Sequence, residues 1–297
     1  MDRQFINGPF NYLGNKYKQL PQLFSFFPES AVFVDLFCGG GSVGINSNSK
    51  KVIFNDSSKQ LMALYCYFKT HDAKDIIEQI EQLIKHYGLS DTAKYGYRYY
   101  SANSSKGLAD VNRAGFYELR SDYNKTRDSL LFYLLIIFAF NNEIRFDKTG
   151  NYNLPVGKRD FNKSMQKKLI TFVARLHQLN CSFNNKSFTD VDVPDNAFVY
   201  CDPPYTITTA YYGNQHWNKQ NDQELFAYLD RLDQRGIKFA LSDVLEHKGI
   251  INQELEQWRQ GYVTHSIKYN YNNSNYHSRA KQHRTREILV TNYQDCP

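Results

Sequence analysis

The tetrapeptide Asp202-Pro203-Pro204-Tyr205 follows directly on the apolar run Ala197–Cys201. An acid, two prolines and an aromatic residue at the end of a strand can grip a flat heterocycle by its exocyclic amine. Each proline fixes its φ angle and lacks an N–H donor. The Asp202 carboxylate and the Pro203 carbonyl are then acceptors in a stiff frame, with Pro204 bracing it. An amine with two N–H donors would be held between them. Its nitrogen would be drawn towards a tetrahedral geometry and its lone pair localised for in-line attack on an electrophile, a matter of positioning and electrostatics. Tyr205 offers a ring to stack on the heterocycle. Taken alone, the tetrapeptide also reads as a strand followed by a Pro-rich turn.

A second motif stands far upstream. Val32-Phe33-Val34-Asp35-Leu36-Phe37-Cys38 runs into Gly39-Gly40-Gly41-Ser42-Val43-Gly44. This is a strand entering a glycine-rich loop, with a helix expected after it whose N-terminus would offer free N–H groups to a polar ligand. A short strand, Val52–Phe54, then delivers Asn55-Asp56. An acid at the end of a second strand is where α/β nucleotide folds hold ribose hydroxyls. The loop lacks the Lys-Ser/Thr ending of a phosphate-binding loop.

These residues need an α/β frame, and two blocks of the chain supply its signals. Residues 28–67 read as strand, loop, helix, strand, helix. Residues 166–293 read as a helix over Gln166–Leu179, the strand Ala197–Cys201, a helix over Asp222–Gln234, and strands Ile237–Ser242, Tyr262–Ile267 and Glu287–Thr291. Between them, Asp72–Tyr87 carries an apolar helical face stopped by Gly88. A tyrosine-rich polar stretch, a further helix, the apolar run Leu130–Phe140 and the turn-rich Asn141–Asp160 follow. The expected architecture is an α/β, doubly wound domain made of residues 1–67 and 165–297, with a mostly helical insertion at 68–164.

The chain has 297 residues, 41% of them hydrophobic, a net charge of +6 and 23 tyrosines with 21 phenylalanines. It is long enough for a large core, and its basic, aromatic-rich surface suits a polyanion. Five scattered cysteines form no Cys-x-x-Cys pair, so neither a zinc site nor a disulfide scaffold is expected. The apolar run Leu130–Phe140 is too short to span a bilayer, and Met1-Asp2-Arg3-Gln4 opens no apolar signal core. No membrane, no metal and a cytoplasmic, nucleoid-associated location are the expectations.

Four stretches in this order resemble the Dam-type DNA adenine-N6 methyltransferases, phage members included. They are Phe10-Asn11-Tyr12-Leu13-Gly14-Asn15-Lys16 with Leu20-Pro21, Asp35 through Ser42, Asn55-Asp56, and Asp202 through Tyr205. A fifth, Phe140-Asn141-Asn142-Glu143-Ile144-Arg145 through Gly150, Pro155, Gly157, Lys158 and Arg159, resembles the family's DNA-reading region. The resemblance covers residues 5–293. It implies a Rossmann-like domain that binds S-adenosyl-L-methionine and an insertion that recognises the target.

On this resemblance Asp202, Pro203, Pro204 and Tyr205 act on the adenine amine, and the base is flipped out of double-stranded DNA into the pocket. Gly39, Gly40, Gly41 and Ser42 pass close to the cofactor's amino-acid tail, and Asp35 holds its ammonium. Asp56 takes the ribose hydroxyls. Tyr12, Lys16, Phe37 and Phe188 complete the cofactor site, with Asp202 beside it. By residue type alone, Lys16 reads as a surface lysine and Phe188 as core. Asn141, Asn142, Glu143, Arg145, Pro155, Lys158 and Arg159 face DNA, with Arg145 and Arg159 on a β-hairpin suited to guanine edges. Glu143 departs from the apolar residue of related phage enzymes. It would contact a base amine or Arg145. Lys268–Arg286, with His277, Arg279, Lys281, His283 and Arg284, reads as a phosphate clamp.

Two other classes compete. A DNA-binding module without catalysis is disfavoured by the intact acid-Pro-Pro-Tyr and glycine motifs. Methylation of cytosine N4, RNA or a protein glutamine is disfavoured by Asp at position 202 and by the basic insertion. GATC or a related short site is the expected target. A cognate restriction endonuclease and the oligomeric state are left open by the sequence.

Overall fold

The computed structural model describes residues 3–103, 105–208, 217–268 and 285–294. Its centre is an eight-stranded sheet in the order β3-β2-β1-β4-β5-β8-β7, with β6 paired to β5. The strands are β1 (Val32–Asp35), β2 (Lys51–Asn55), β3 (Cys181–Asn184), β4 (Ala197–Cys201), β5 (Lys238–His247), β6 (Ile250–Ile251), β7 (Val263–Ile267) and β8 (Thr285–Thr291). The first five in that spatial order are parallel, whereas β8 runs antiparallel to β5 and β7 antiparallel to β8. The strand order reverses between β1 and β4. In such sheets the crevice beyond the carboxyl ends at that point is where ligands bind.

Strand alternation sorts the side chains onto two faces. Val32, Val34, Val199 and Cys201 pack on one face with helix α8 (Lys219–Gln234) and helix α9 (Gln253–Trp258). Phe33, Phe198 and Tyr200 pack on the other, against helices α1 (Leu20–Phe26), α2 (Lys59–Thr70) and α7 (Lys163–Gln178). Because both faces are covered, β1 and β4 are continuous apolar runs, which is why their sequences are so legible.

The chain between β2 and β3 adds α3 (Ala73–His86), α4 (Thr92–Tyr99, broken at Gly96), α5 (Ala109–Thr126) and α6 (Ser129–Phe138). Asp128 caps α6 by accepting from Leu130 and Leu131 N–H, and every residue from Leu130 to Phe138 is buried. The expected boundaries at 68 and 165 fall inside α2 and α7. The apolar cluster runs without a break from Leu64 and Phe68 of α2 through Ile76, Leu119, Leu134 and Leu169.

Three expectations about elements are corrected. No regular helix follows the glycine loop: only a short 3-10 turn, Gly44–Asn46, stands there. The segment is Gly-, Ser- and Asn-rich, all poor helix formers. Gly39 and Gly41 have φ of 44° and 70°, and the Asn46 amide is spent on the Ser42 and Ile6 carbonyls. The strand expected to stop at Ser242 continues to His247, because Ser242 and Asp243 are buried polar residues within it. The expected hairpin after Arg145 is reduced to two antiparallel bridges, Ala139 with Val156 and Phe146 with Tyr152.

Candidate active site

A cavity of about 720 Å³ opens at the strand-order reversal, between the ends of β1, β2 and β4. Asp35 ends β1, Asp56 follows β2 and Asp202 follows β4, so three carboxylates converge there. Tyr12, Phe37, Gly39, Gly40, Ser42 and Phe188 also line it. Gly41 does not; it packs towards Phe172 and Tyr65.

The glycine loop is shaped by its neighbours. A Cβ on Gly39 would lie 2.6 Å from the Tyr12 ring, and one on Gly40 2.8 Å from the Tyr12 Cβ. Glycine is therefore required here by the close approach of Tyr12. Gly39 N–H donates to Asp56 Oδ2 (3.0 Å) and its carbonyl accepts from the Tyr65 hydroxyl (2.6 Å). Asp56 Oδ1 accepts from Ser58 N–H at 2.8 Å. Each carboxylate oxygen thus retains a lone pair for a further donor. Burial raises the Asp56 pKa against the pull of these N–H groups. Asn55 ties the loop ends together, donating to the Leu36 and Lys186 carbonyls.

Asp35 is almost fully buried and accepts from Gly44 N–H at 2.8 Å. Burial, with the nearby Asp202 and Asp56 carboxylates adding to it, pushes its pKa up to about 7. An ammonium group arriving in the cavity would reverse that cost. Phe37 and Phe188 lie 5.5 Å apart and both meet the Trp217 ring, at 5.6 and 5.9 Å, forming an aromatic wall. Asp222 holds Trp217 Nε1 and the Thr206 hydroxyl, each at 2.6 Å, so this wall is braced to the residue after Tyr205. The acid after Phe188, Asp190, is exposed and bonded to its neighbour Thr189.

Lys16 is not a surface lysine. It is 5% exposed, and its ammonium reaches Glu287 Oε1 at 2.7 Å, Asp202 Oδ1 at 3.1 Å and the Tyr205 hydroxyl oxygen. Burial works to strip its proton. The Asp202 and Glu287 carboxylates outweigh that, and the pKa stands well above the ordinary value. The Tyr205 hydroxyl donates to Asp202 Oδ1 at 2.7 Å. Burial raises the Asp202 pKa, and Lys16 and Tyr205 oppose the rise. Neither Glu287 nor Trp217 is marked by any local motif. They are 271 and 201 residues from Lys16 along the chain, and only the fold brings them in.

On the insertion side, Asn142, Glu143 and Ile144 reach the same cavity. Asn141 and Asn142 adopt left-handed φ of 53° and 56°. Asn142 is pinned by donating to the Ile136 and Ile137 carbonyls and by accepting from the Asn11 amide. Glu143 accepts from Asn141, not from Arg145 as one expectation had it. The exposed Arg145 instead donates through Nε to Asn153 Oδ1 at 2.7 Å. Pro155, Lys158 and Arg159 are exposed and lie away from the main cavity. Arg159 borders a smaller cavity with Lys168, and burial together with Arg159 lowers the Lys168 pKa. Of the expected basic clamp, only Lys268 and Arg286 fall within the described residues.

Among the described residues no group of three or more His, Cys, Asp or Glu side chains is placed to hold a metal ion, and no helix is long and apolar enough to cross a membrane. Residues 12–285 match the D12 class N6 adenine-specific DNA methyltransferase family. The modification methylase StsI of Streptococcus sanguinis is 36% identical over 98% of this chain and 44% of its own length. The type II methyltransferase M.FokI of Planomicrobium okeanokoites is 36% identical over 97% of this chain and 43% of its own. The DNA adenine methylase of Escherichia coli K12 is 24% identical over 86% of this chain and 85% of its own. The chain therefore spans a little under half the length of the first two relatives. With the four sequence motifs gathered at one crevice and the match extending over nearly the whole chain, this protein belongs to the D12 class of N6 adenine-specific DNA methyltransferases.

Proposed function

We propose that this chain transfers a methyl group from S-adenosyl-L-methionine to N6 of adenine in a short duplex site, GATC or a related sequence. The observation that carries the reading is the state of Asp202. Its Oδ1 is taken by Lys16 and Tyr205, while Oδ2 has no partner among the described residues, and the side chain lines the cavity. An acceptor prepared in this way, beside the Pro203 carbonyl, suits an amine with two N–H donors. The N6 lone pair is otherwise spread into the ring, and holding both hydrogens localises it.

The cavity fits the cofactor on its own chemistry. Asp35 suits an ammonium, Asp56 suits two hydroxyls, and the wall of Phe37, Phe188 and Trp217 suits an adenine ring. When bound, S-adenosyl-L-methionine would supply a sulfonium methyl as the electrophile: the amine would take the methyl, the sulfur would be left as a neutral thioether, and the proton released from the methylated nitrogen would pass to solvent. Asp202 and Pro203 orient the amine, Pro204 stiffens the frame, and Tyr205 steadies Asp202 by its hydroxyl while its ring borders the target base. The base enters the cavity only by leaving the duplex stack.

Residues 68–164, carried on α2 and α7, are assigned as the target-recognition insertion. Arg145, held by Asn153, would read a base edge, and Glu143 would accept from a base amine at the cavity mouth. Lys158 and Arg159 would meet the backbone, with Asn141, Asn142 and Pro155 shaping the loop. The modification-methylase name of the Streptococcus sanguinis relative favours a protective role beside an endonuclease. Sequencing genomic DNA from a host expressing the chain, with modified-base detection, tests the reading. N6-methyladenine in one short motif supports it, and an unmodified genome, or methyl groups on cytosine, opposes it.

A further inference from the structure

Glu287, near the start of β8, is 3% exposed and takes no part in the reaction as described above. Its two oxygens are clamped from a single turn of chain. Oε1 accepts from Lys16 Nζ and Oε2 from Gln19 Nε2, each at 2.7 Å, and Gln19 N–H in turn donates to the Lys16 carbonyl at 2.8 Å. An ammonium has three donors, and those of Lys16 go to Glu287, Asp202 and Tyr205. The geometry has a consequence for Asp202. Lys16 and the Tyr205 hydroxyl both converge on Oδ1, which leaves Oδ2 without a partner among the described residues on a side chain that lines the cavity. Glu287 holds Lys16 in the position from which it takes Oδ1.

We infer that Glu287 is a positioning residue for methyl transfer, acting through Lys16 to hold Asp202 by Oδ1 and leave its Oδ2 to the target amine. This rests on the proposed adenine methylation. Glu287→Gln is the first test, because it removes the charge while keeping the shape. The Gln19 Oε1 atom is buried with no hydrogen-bond partner among the described residues, so a rotated Gln19 amide can accept from the new side chain. The measurements are the single-turnover rate of methyl transfer to duplex DNA at saturating labelled S-adenosyl-L-methionine, the equilibrium affinities for cofactor and DNA, and the thermal midpoint.

The expected result is a rate reduced about tenfold or more, with both affinities within about threefold of the wild type. On a Lys16→Met background the same substitution should cost no more than about twofold further, since its route is already cut. Glu287→Asp, which keeps the charge, should recover part of the loss. The inference is overturned if Glu287→Gln transfers within about threefold of the wild-type rate, if its loss multiplies with that of Lys16→Met, or if weaker cofactor binding accounts for the whole effect. Should Glu287→Gln fail to fold, Gln19→Met releases the other oxygen and carries the test. A rate reduced at least about threefold at unchanged affinities then supports the inference, and an unchanged rate overturns it. A wild-type chain that methylates no DNA would sink the proposed function instead.

Discussion

Lowering the pH from about 8 to about 6 should weaken cofactor binding through one carboxyl, Asp35. Burial first, and the neighbouring Asp202 and Asp56 carboxylates second, push its pKa to about 7, so below that value the ligand-free protein carries Asp35 protonated. A cofactor α-amino group, with an ordinary pKa of about 7.7–8.0, is mostly an ammonium at about pH 7 and below, where Asp35 takes up its proton. Binding the ammonium against Asp35 therefore requires the proton to leave first. Each pH unit below about 7 adds ~1.4 kcal/mol to that step, a tenfold loss of affinity at about pH 6. The stability of the ligand-free protein should move the other way. The folded state holds this proton more tightly than the unfolded chain. The group's stabilising contribution is thus complete below about pH 4 and is lost as pH rises through about 7. Calorimetric titration of the wild type and Asp35→Asn with S-adenosyl-L-methionine across this range separates Asp35 from Asp56 and Asp202, which remain in both proteins. A pH-independent wild-type affinity, or an equal slope in Asp35→Asn, would refute the assignment of Asp35 to the ammonium.

Three further outcomes follow from the same geometry. Asp56→Ala should weaken cofactor affinity by about 1–3 kcal/mol by leaving ribose hydroxyls unpaired; unchanged affinity by calorimetry would mean that another group holds them. Arg145→Ala should relax sequence choice at one base pair, a base-edge contact being worth about 1–3 kcal/mol of discrimination, while Arg159→Ala, beside Lys168, should mainly flatten the salt dependence of binding. Filter binding to cognate and random duplexes over a salt series distinguishes the two, and a uniform loss for Arg145→Ala would make it a phosphate contact. Glu143→Met should alter preference at one base pair flanking the methylated adenine with little change in cofactor affinity. Methylation of a randomised duplex library by both proteins tests this, and identical profiles would leave Glu143 with no reading role.

The parts of the fold and site that were legible in the sequence share a physical cause. β1 and β4 are covered on both faces, so their apolar runs are continuous, and the chemistry sits at their ends as Asp35 and Asp202. Glycine at 39 and 40 was readable as close approach, although the approaching group in the structure is Tyr12. What local patterns could not carry was long-range pairing. The burial of Lys16 depends on a carboxylate 271 residues away, and a lysine with no visible partner reads as solvated. Trp217 likewise becomes a wall of the cavity only through Asp222. The helix expected after the glycine loop failed because a general nucleotide-fold pattern was applied to a segment whose own residues favour turns. β5 was read short because Ser242 and Asp243 look like a strand end until the fold buries them.

The central claim is that Asp202 presents its free oxygen to an adenine amine. Its most direct measurement is nucleoside analysis of duplex DNA after incubation with the purified chain and methyl-labelled S-adenosyl-L-methionine, run in parallel with Asp202→Ala. The label should appear as N6-methyladenine with the wild type, and Asp202→Ala should bind cofactor and DNA nearly as well yet transfer essentially none. Label on cytosine, or transfer by Asp202→Ala within about tenfold of the wild type, a loss of only ~1.4 kcal/mol, would contradict the account.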